Sequence, residues 1–243
     1  MTPHTKQEQG MKKTSLFVAA IASLGMMGLT PASAQFGLPS IPGANLVPGM
    51  GGGGGSGFSA AAASLTTNLK TALYNQVMAI ALIQEAQGDK VKAGRLRATA
   101  AAMQAMKQPS KDLMEKSLKA VEENPVNREG LAKVKDAEGQ KKVSQASGHM
   151  SVVLVYDGLA IASATAMIAQ KPGPADLANA PAILEAAQMA LTALPTQTTN
   201  FQKYNEVTEA YMKENNIAKP TAAEKQAIAK KTDPAAKSIG AGL

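Results

Sequence analysis

GHMSVVLVYDGLAIASATAMIA, residues 148 to 169, carries one formal charge, Asp157, in an otherwise apolar or small-residue run. The other helical patterns after the first 34 residues have a polar face, and this one has none. A helix that is apolar all round belongs in a core or in a membrane. Ser151 to Tyr156 (SVVLVY) alone would pass for a buried strand. The run continues through Leu159, Ile161 and Ala162 with a single internal Gly after His149, so its length favours a helix. On that helix Met150, Leu154, Asp157, Ile161, Ala164 and Ile168 share a stripe. Val152, Tyr156, Leu159, Ser163 and Met167 share a second. Gly158, Ala162 and Ala166 form a small-residue line that would let a neighbouring backbone approach.

The length also suits a membrane span. An Asp near the middle, however, costs about 2.5–3.5 kcal/mol on the insertion scale, where each Leu, Ile or Val returns only about 0.3–0.6. The reading is therefore a core helix around which the others pack, with no stable membrane span. The expected fold is all-α: an irregular antiparallel bundle of about six helices around a central apolar helix at about 148–169, with flexible N- and C-terminal tails.

Upstream, Met11-Lys12-Lys13, the apolar run Leu16 to Met27, Pro31 and the pair Ala32 and Ala34 follow one another. This is the pattern of a secretory signal peptide: a basic region, an apolar region and an A-x-A cleavage site. Residues 1–34 are read as leader and signal, with Met11 as initiator and cleavage after Ala34. The destination is then periplasmic or extracellular. Losing Lys6, Lys12, Lys13 and Glu8 takes the net charge from +7 to +5. Residues 35–58 are rich in Pro and Gly and lack any apolar period, which reads as a disordered linker.

A helical domain is expected over 59–216. Leu65, Leu69, Leu73, Val77, Ile80 and Ile83 recur at helical steps until Gly88-Asp89. Lys90 to Lys107 carries Val91, Leu96, Ala100, Met103 and Met106. Ser110 caps a third helix that Asn124-Pro125 closes, and Asn127 a fourth with Leu131, Val134 and Val143. Gly139 and Gly148 suggest a break before the central helix. Ile183 to Leu194 makes a fifth segment that Pro195 ends, and Phe201, Tyr204, Thr208 and Tyr211 a sixth starting near Asn200. In 217–243, Thr221 and Glu224 stand at capping-box spacing before a marginal helix and a frayed tail.

The chain has no cysteine, which removes thiol catalysis, thiolate metal sites and disulfides. No GxSxG, P-loop, GxGxxG or HExxH pattern is present, so no catalytic residue, metal or cofactor is assigned. His149 is the one histidine after the signal, and its position at the start of the apolar run reads as a helix end or surface. It lies about 12 Å along a helix from Asp157, too far to pair. Asp157 is the one carboxylate in apolar context. Its first expectation is a buried ion pair with Arg95, Arg97 or Arg128, and its second a raised pKa.

Residues 88 to 149 hold thirteen Lys and Arg against eight Asp and Glu, a net +5. Trp is absent and no Phe or Tyr lies in that region, so a nucleic-acid surface is not expected. The sequence points to an exported, non-catalytic interaction, scaffold or chaperone-like module whose partner is another protein or an envelope component. The alternative is a binding protein for a small apolar or anionic ligand, held near Tyr156 and Asp157 with His149. The sequence leaves the oligomeric state open.

Overall fold

The computed structural model describes residues 57–106, 110–170, 173, 176 and 180–233. The leader and signal region, residues 35–56 of the linker, and the tail from 234 lie outside the described residues. Within them the chain is all-α. Eight helices are described: α1 (Gly57–Ala86), α2 (Lys90–Ala105), α3 (Lys111–Glu122), α4 (Arg128–Ala132), α5 (Ala137–Ile168), α6 (Ala180–Thr192), α7 (Leu194–Glu214) and α8 (Ala222–Thr232). They form a bundle around α5, the apolar helix.

The central helix is one and a half times as long as the apolar run. It starts at Ala137, not at Gly148, and neither Gly139 nor Gly148 breaks it. Asp136 caps it, its carboxylate accepting from the Gly139 N–H at 2.8 Å. Lys142 and Glu138, one turn apart, pair at 2.5 Å. A helical Gly costs about 1 kcal/mol relative to Ala, but both glycines sit where a neighbour comes close. A Cβ on Gly139 would lie 2.6 Å from Val134 Cγ1 and 3.2 Å from the Ala86 carbonyl. A Cβ on Gly148 would lie 2.8 Å from Ile228 Cδ1 and 3.4 Å from Pro220 Cγ. Close packing of neighbours thus outweighs local propensity. The helix expected after Asn127 is correspondingly short: Asn127 caps it through the Gly130 N–H, but it ends at Ala132. Val134 falls in the connection and Val143 belongs to α5.

α1 and α5 run antiparallel along almost their whole lengths. Ala86 meets Gly139 at one end, Asn75 meets His149 and Gln76 meets Asp157 in the middle, and Asn68 meets Ser163 further on. Leu65, Leu69, Leu73, Val77, Ile80 and Ile83, the periodic residues of α1, are all buried. α7 is antiparallel to α5, with Thr198 against Asp157 and Thr208 against Met150. Tyr211 at its far end donates to the Val134 carbonyl at 2.6 Å and anchors the connection that leads into α5.

Pro195 does not end a helix; it opens one. α6 stops at Thr192 and α7 begins at Leu194, with Pro195 as its second residue. A first-turn N–H has no acceptor within its helix, so proline loses nothing there. The helix expected near Asn200 therefore starts six residues earlier.

α8 carries the expected capping box: Thr221 Oγ1 accepts from the Glu224 N–H, and the Glu224 carboxylate accepts from the Thr221 N–H at 2.7 Å. It lies along α5 in the same direction, from Ser144, whose hydroxyl donates to the Ala218 carbonyl, to Tyr156, which reaches Asp233.

Candidate functional site

The three residues singled out from the sequence, His149, Tyr156 and Asp157, are all buried on α5. They do not converge on one another. At about 100° per residue, His149 and Tyr156, seven residues apart, share a face of the helix, while Asp157 is turned about 100° away from Tyr156.

Asp157 is fully buried, and no arginine reaches it. Arg97 pairs with Glu85 and Arg128 with Glu214, both at the surface, while Arg95 has no ion pair among the described residues. The expected buried ion pair is therefore replaced by neutral donors. Thr198 Oγ1 of α7 donates to Asp157 Oδ2 at 3.1 Å, and Gln76 Nε2 of α1 lies at 3.5 Å from the same oxygen. Burial pushes the carboxyl up to about 7, against the smaller opposing pull of the Thr198 and Gln76 donors. The structural reason is direct. Arg95 and Arg97 lie on α2 with their side chains exposed, and the stripe of Asp157 faces the α1–α7 seam.

His149 is not at a helix end. It lies twelve residues inside α5 and is 8% exposed. Its Nδ1 is 2.6 Å from Asn75 Oδ1 of α1. The Asn75 amide nitrogen is committed to the Thr71 carbonyl at 2.8 Å and to Thr232 Oγ1 of α8 at 3.3 Å. Asn75 Oδ1 therefore accepts, and the imidazole donates from Nδ1. Burial, then the nearby Lys231 ammonium, lowers the imidazole to about 4, so it is neutral at ordinary pH.

Tyr156 packs with Ala72, Val152 and Ala229, and its hydroxyl donates to Asp233 Oδ2 at 3.1 Å. Burial, then the Asp233 carboxylate, raises its pKa. His149 and Tyr156 thus share the face of α5 that meets the C-terminal end of α8, where Lys231, Thr232 and Asp233 lie, while Asp157 belongs to the seam with α7.

Sequence reasoning missed the partners: Asn75, Gln76, Thr198 and Thr232. Their signal was present. Asn75-Gln76 interrupts an apolar stretch of α1, and both are completely buried, as is Thr71 one helical turn before Asn75. Polar residues at core positions are costly unless bonded, so such an interruption marks the side chains of a facing helix.

Among the described residues no group of three or more His, Asp or Glu could hold a metal ion. α5 is the one described helix long and apolar enough to cross a membrane by length and composition, and 61% of its most apolar 18-residue window is buried by the rest of the bundle. The chain matches no protein-family model, no curated protein and no solved structure.

Proposed function

We propose that the chain is an exported, non-catalytic helical protein, periplasmic or extracellular, that serves as an interaction, scaffold or chaperone-like module for another protein or an envelope component. Export rests on the basic, apolar and A-x-A succession of Met11 to Ala34. The observation that carries the interaction reading is where the unspent chemistry lies. The three candidate residues of the central helix each have a partner inside the bundle: His149 with Asn75, Tyr156 with Asp233, and Asp157 with Thr198 and Gln76. The outer helix α2 instead turns Val91, 67% exposed, and the cations Lys90 and Arg95 to solvent, with Met106, 39% exposed, at its end. Apolar side chains beside cations that have no ion pair among the described residues suit an acidic, partly apolar protein surface.

The test begins with the exported form, whose intact mass places its N-terminus at Gln35. Cross-linking in the exporting cell then compares the native chain with a Val91→Glu, Arg95→Glu double variant. The variant keeps its melting temperature, since exposed substitutions change stability by within about 0.5 kcal/mol, and loses its cross-linked partner. An unchanged cross-linking pattern rejects α2 as the surface. A small ligand whose binding disappears in Asp157→Asn replaces this reading with that of a ligand-binding protein.

A further inference from the structure

The α1–α5 interface contains two buried ionisable groups, and their surroundings demand opposite proton occupancies. Asp157 and Gln76 are joined by one contact, Gln76 Nε2 to Asp157 Oδ2 at 3.5 Å. The other oxygen of each, Asp157 Oδ1 and Gln76 Oε1, is buried and has no hydrogen-bond partner among the described residues. Both are acceptors, and two acceptors do not bond one another. A single proton on Asp157 Oδ1 makes it a donor, and supplies one where the described residues otherwise leave two buried acceptors unpartnered on side chains already in contact. At His149 the logic runs the other way. The imidazole is enclosed between α1 and α8, its Nδ1–H is already used on Asn75, and the Lys231 ammonium stands near. A second ring proton would bring a buried positive charge toward another cation.

We propose that Asp157 stays proton-bound and His149 proton-free in the native fold, and that the two form an opposed pair which makes stability nearly independent of pH in mildly acid medium. Asp157 draws no charged neighbour from any element packed on it. Lys70, Tyr74 and Glu85 of α1, Glu185 of α6, and Lys203, Tyr204 and Glu206 of α7 are not among the groups that act on it. On His149 the one acting charge is Lys231 of α8.

The signs follow from linkage. The Asp157 carboxyl is raised from 3.8 to about 7 on folding. Its contribution is fully present below 3.8 and is lost as pH rises through 7. The His149 imidazole is lowered from 6.5 to about 4. Its contribution is fully present above 6.5 and is lost as pH falls through 4. Where the windows overlap, the native state binds one proton more than the unfolded chain at Asp157 and one fewer at His149. The two slopes, each tenfold in the folding constant per pH unit, cancel. Near and below pH 4.5 the cap carboxylates Asp89, Asp136 and Glu224, held low by backbone N–H donors, add their own dependence. The informative range is therefore pH 5 to 6.5.

The experiment is denaturant unfolding of the full chain across that range, read as the difference between variant and native profiles so that other groups drop out. Asp157→Asn should lose about tenfold in folding constant per unit as pH falls, and His149→Gln about tenfold per unit as pH rises. Parallel profiles for native chain and both variants overturn the proposal. If either variant fails to fold, carbon-13 NMR of the native chain decides. An Asp157 carboxyl that is still protonated at pH 6 and a His149 ring that stays neutral at pH 5 support the pair. A carboxylate at pH 6, or a charged ring at pH 5, overturns it.

Discussion

Tyr156 reaches past its own helix to the last described residue of the chain, Asp233. That reach defines what a single atom does here. Tyr156→Phe keeps the ring among Ala72, Val152 and Ala229 and removes only the hydroxyl. The expected cost is about 0.5–1.5 kcal/mol, the net worth of one hydrogen bond. The loss should show as faster amide exchange in the final turn of α8, with α1 unchanged. A variant with native exchange throughout would mean that Asp233 holds α8 without Tyr156. The candidate residues themselves were legible in the sequence, because a carboxylate, a phenol and an imidazole stand out in an apolar run. Their partners were not. Asn75 and Thr198 look like surface residues of α1 and α7 until a facing helix is in place, and sequence alone does not give the rotation between two helices. The same missing rotation produced the expectation of an arginine at Asp157.

At the scale of the element, α8 is the most lightly attached long segment of the fold. It contributes one fully buried residue, Ala229, with Ile228 partly covered. Its seat depends on Gly148, where a side chain would meet Ile228 Cδ1 at 2.8 Å and Pro220 beyond it. Ile228 Cδ1 is the end of a flexible side chain and can yield a little. Gly148→Ala should therefore leave α8 in place, helped by the better helix propensity of alanine. Gly148→Leu should displace it, breaking Asn75–Thr232 and uncovering His149. Limited trypsin digestion reads the difference: the Leu variant is cut early at Lys225 and Lys230, the Ala variant at the native rate. Early cleavage in both would show that α8 has no room even for a methyl group. Helix starts were well marked in the sequence, since Ser110, Asn127 and Thr221 all cap as expected, and Asp89, read only as the end of the first helix, caps α2 as well. Glycine and proline were the poor guides. Gly139 and Gly148 read as breaks because their local cost is visible in sequence and the close neighbour that offsets it is not. Pro195 read as an end because the same residue both stops one helix and starts the next.

For the whole molecule, the apolar surface of α5 is shared out among α1, α6, α7 and α8. A chain lacking residues 1–34 should accordingly remain in aqueous solution without detergent and give a helical far-ultraviolet circular dichroism spectrum. A need for detergent would move α5 from core to membrane. Removing residues 35–56, which carry no apolar period, should leave the melting temperature within a few degrees of native, because Phe58 and the rest of the buried α1 face are retained. A fall of many degrees would place part of that segment against the bundle.

The pairing of α1 with α5 also sets an order of events. Asn75 and His149 are 74 residues apart in the chain, and Asn68 and Ser163 are 95 apart. Most helical bundles fold quickly because each helix finds its neighbour in sequence. Here the first described helix has its principal partner only after α2, α3 and α4 have been made. A chain delivered from its N-terminus can cover part of the apolar stripe of α1 with α2, but the part that faces α5 stays without its partner through that whole interval, and this side of the core closes only when α5 arrives.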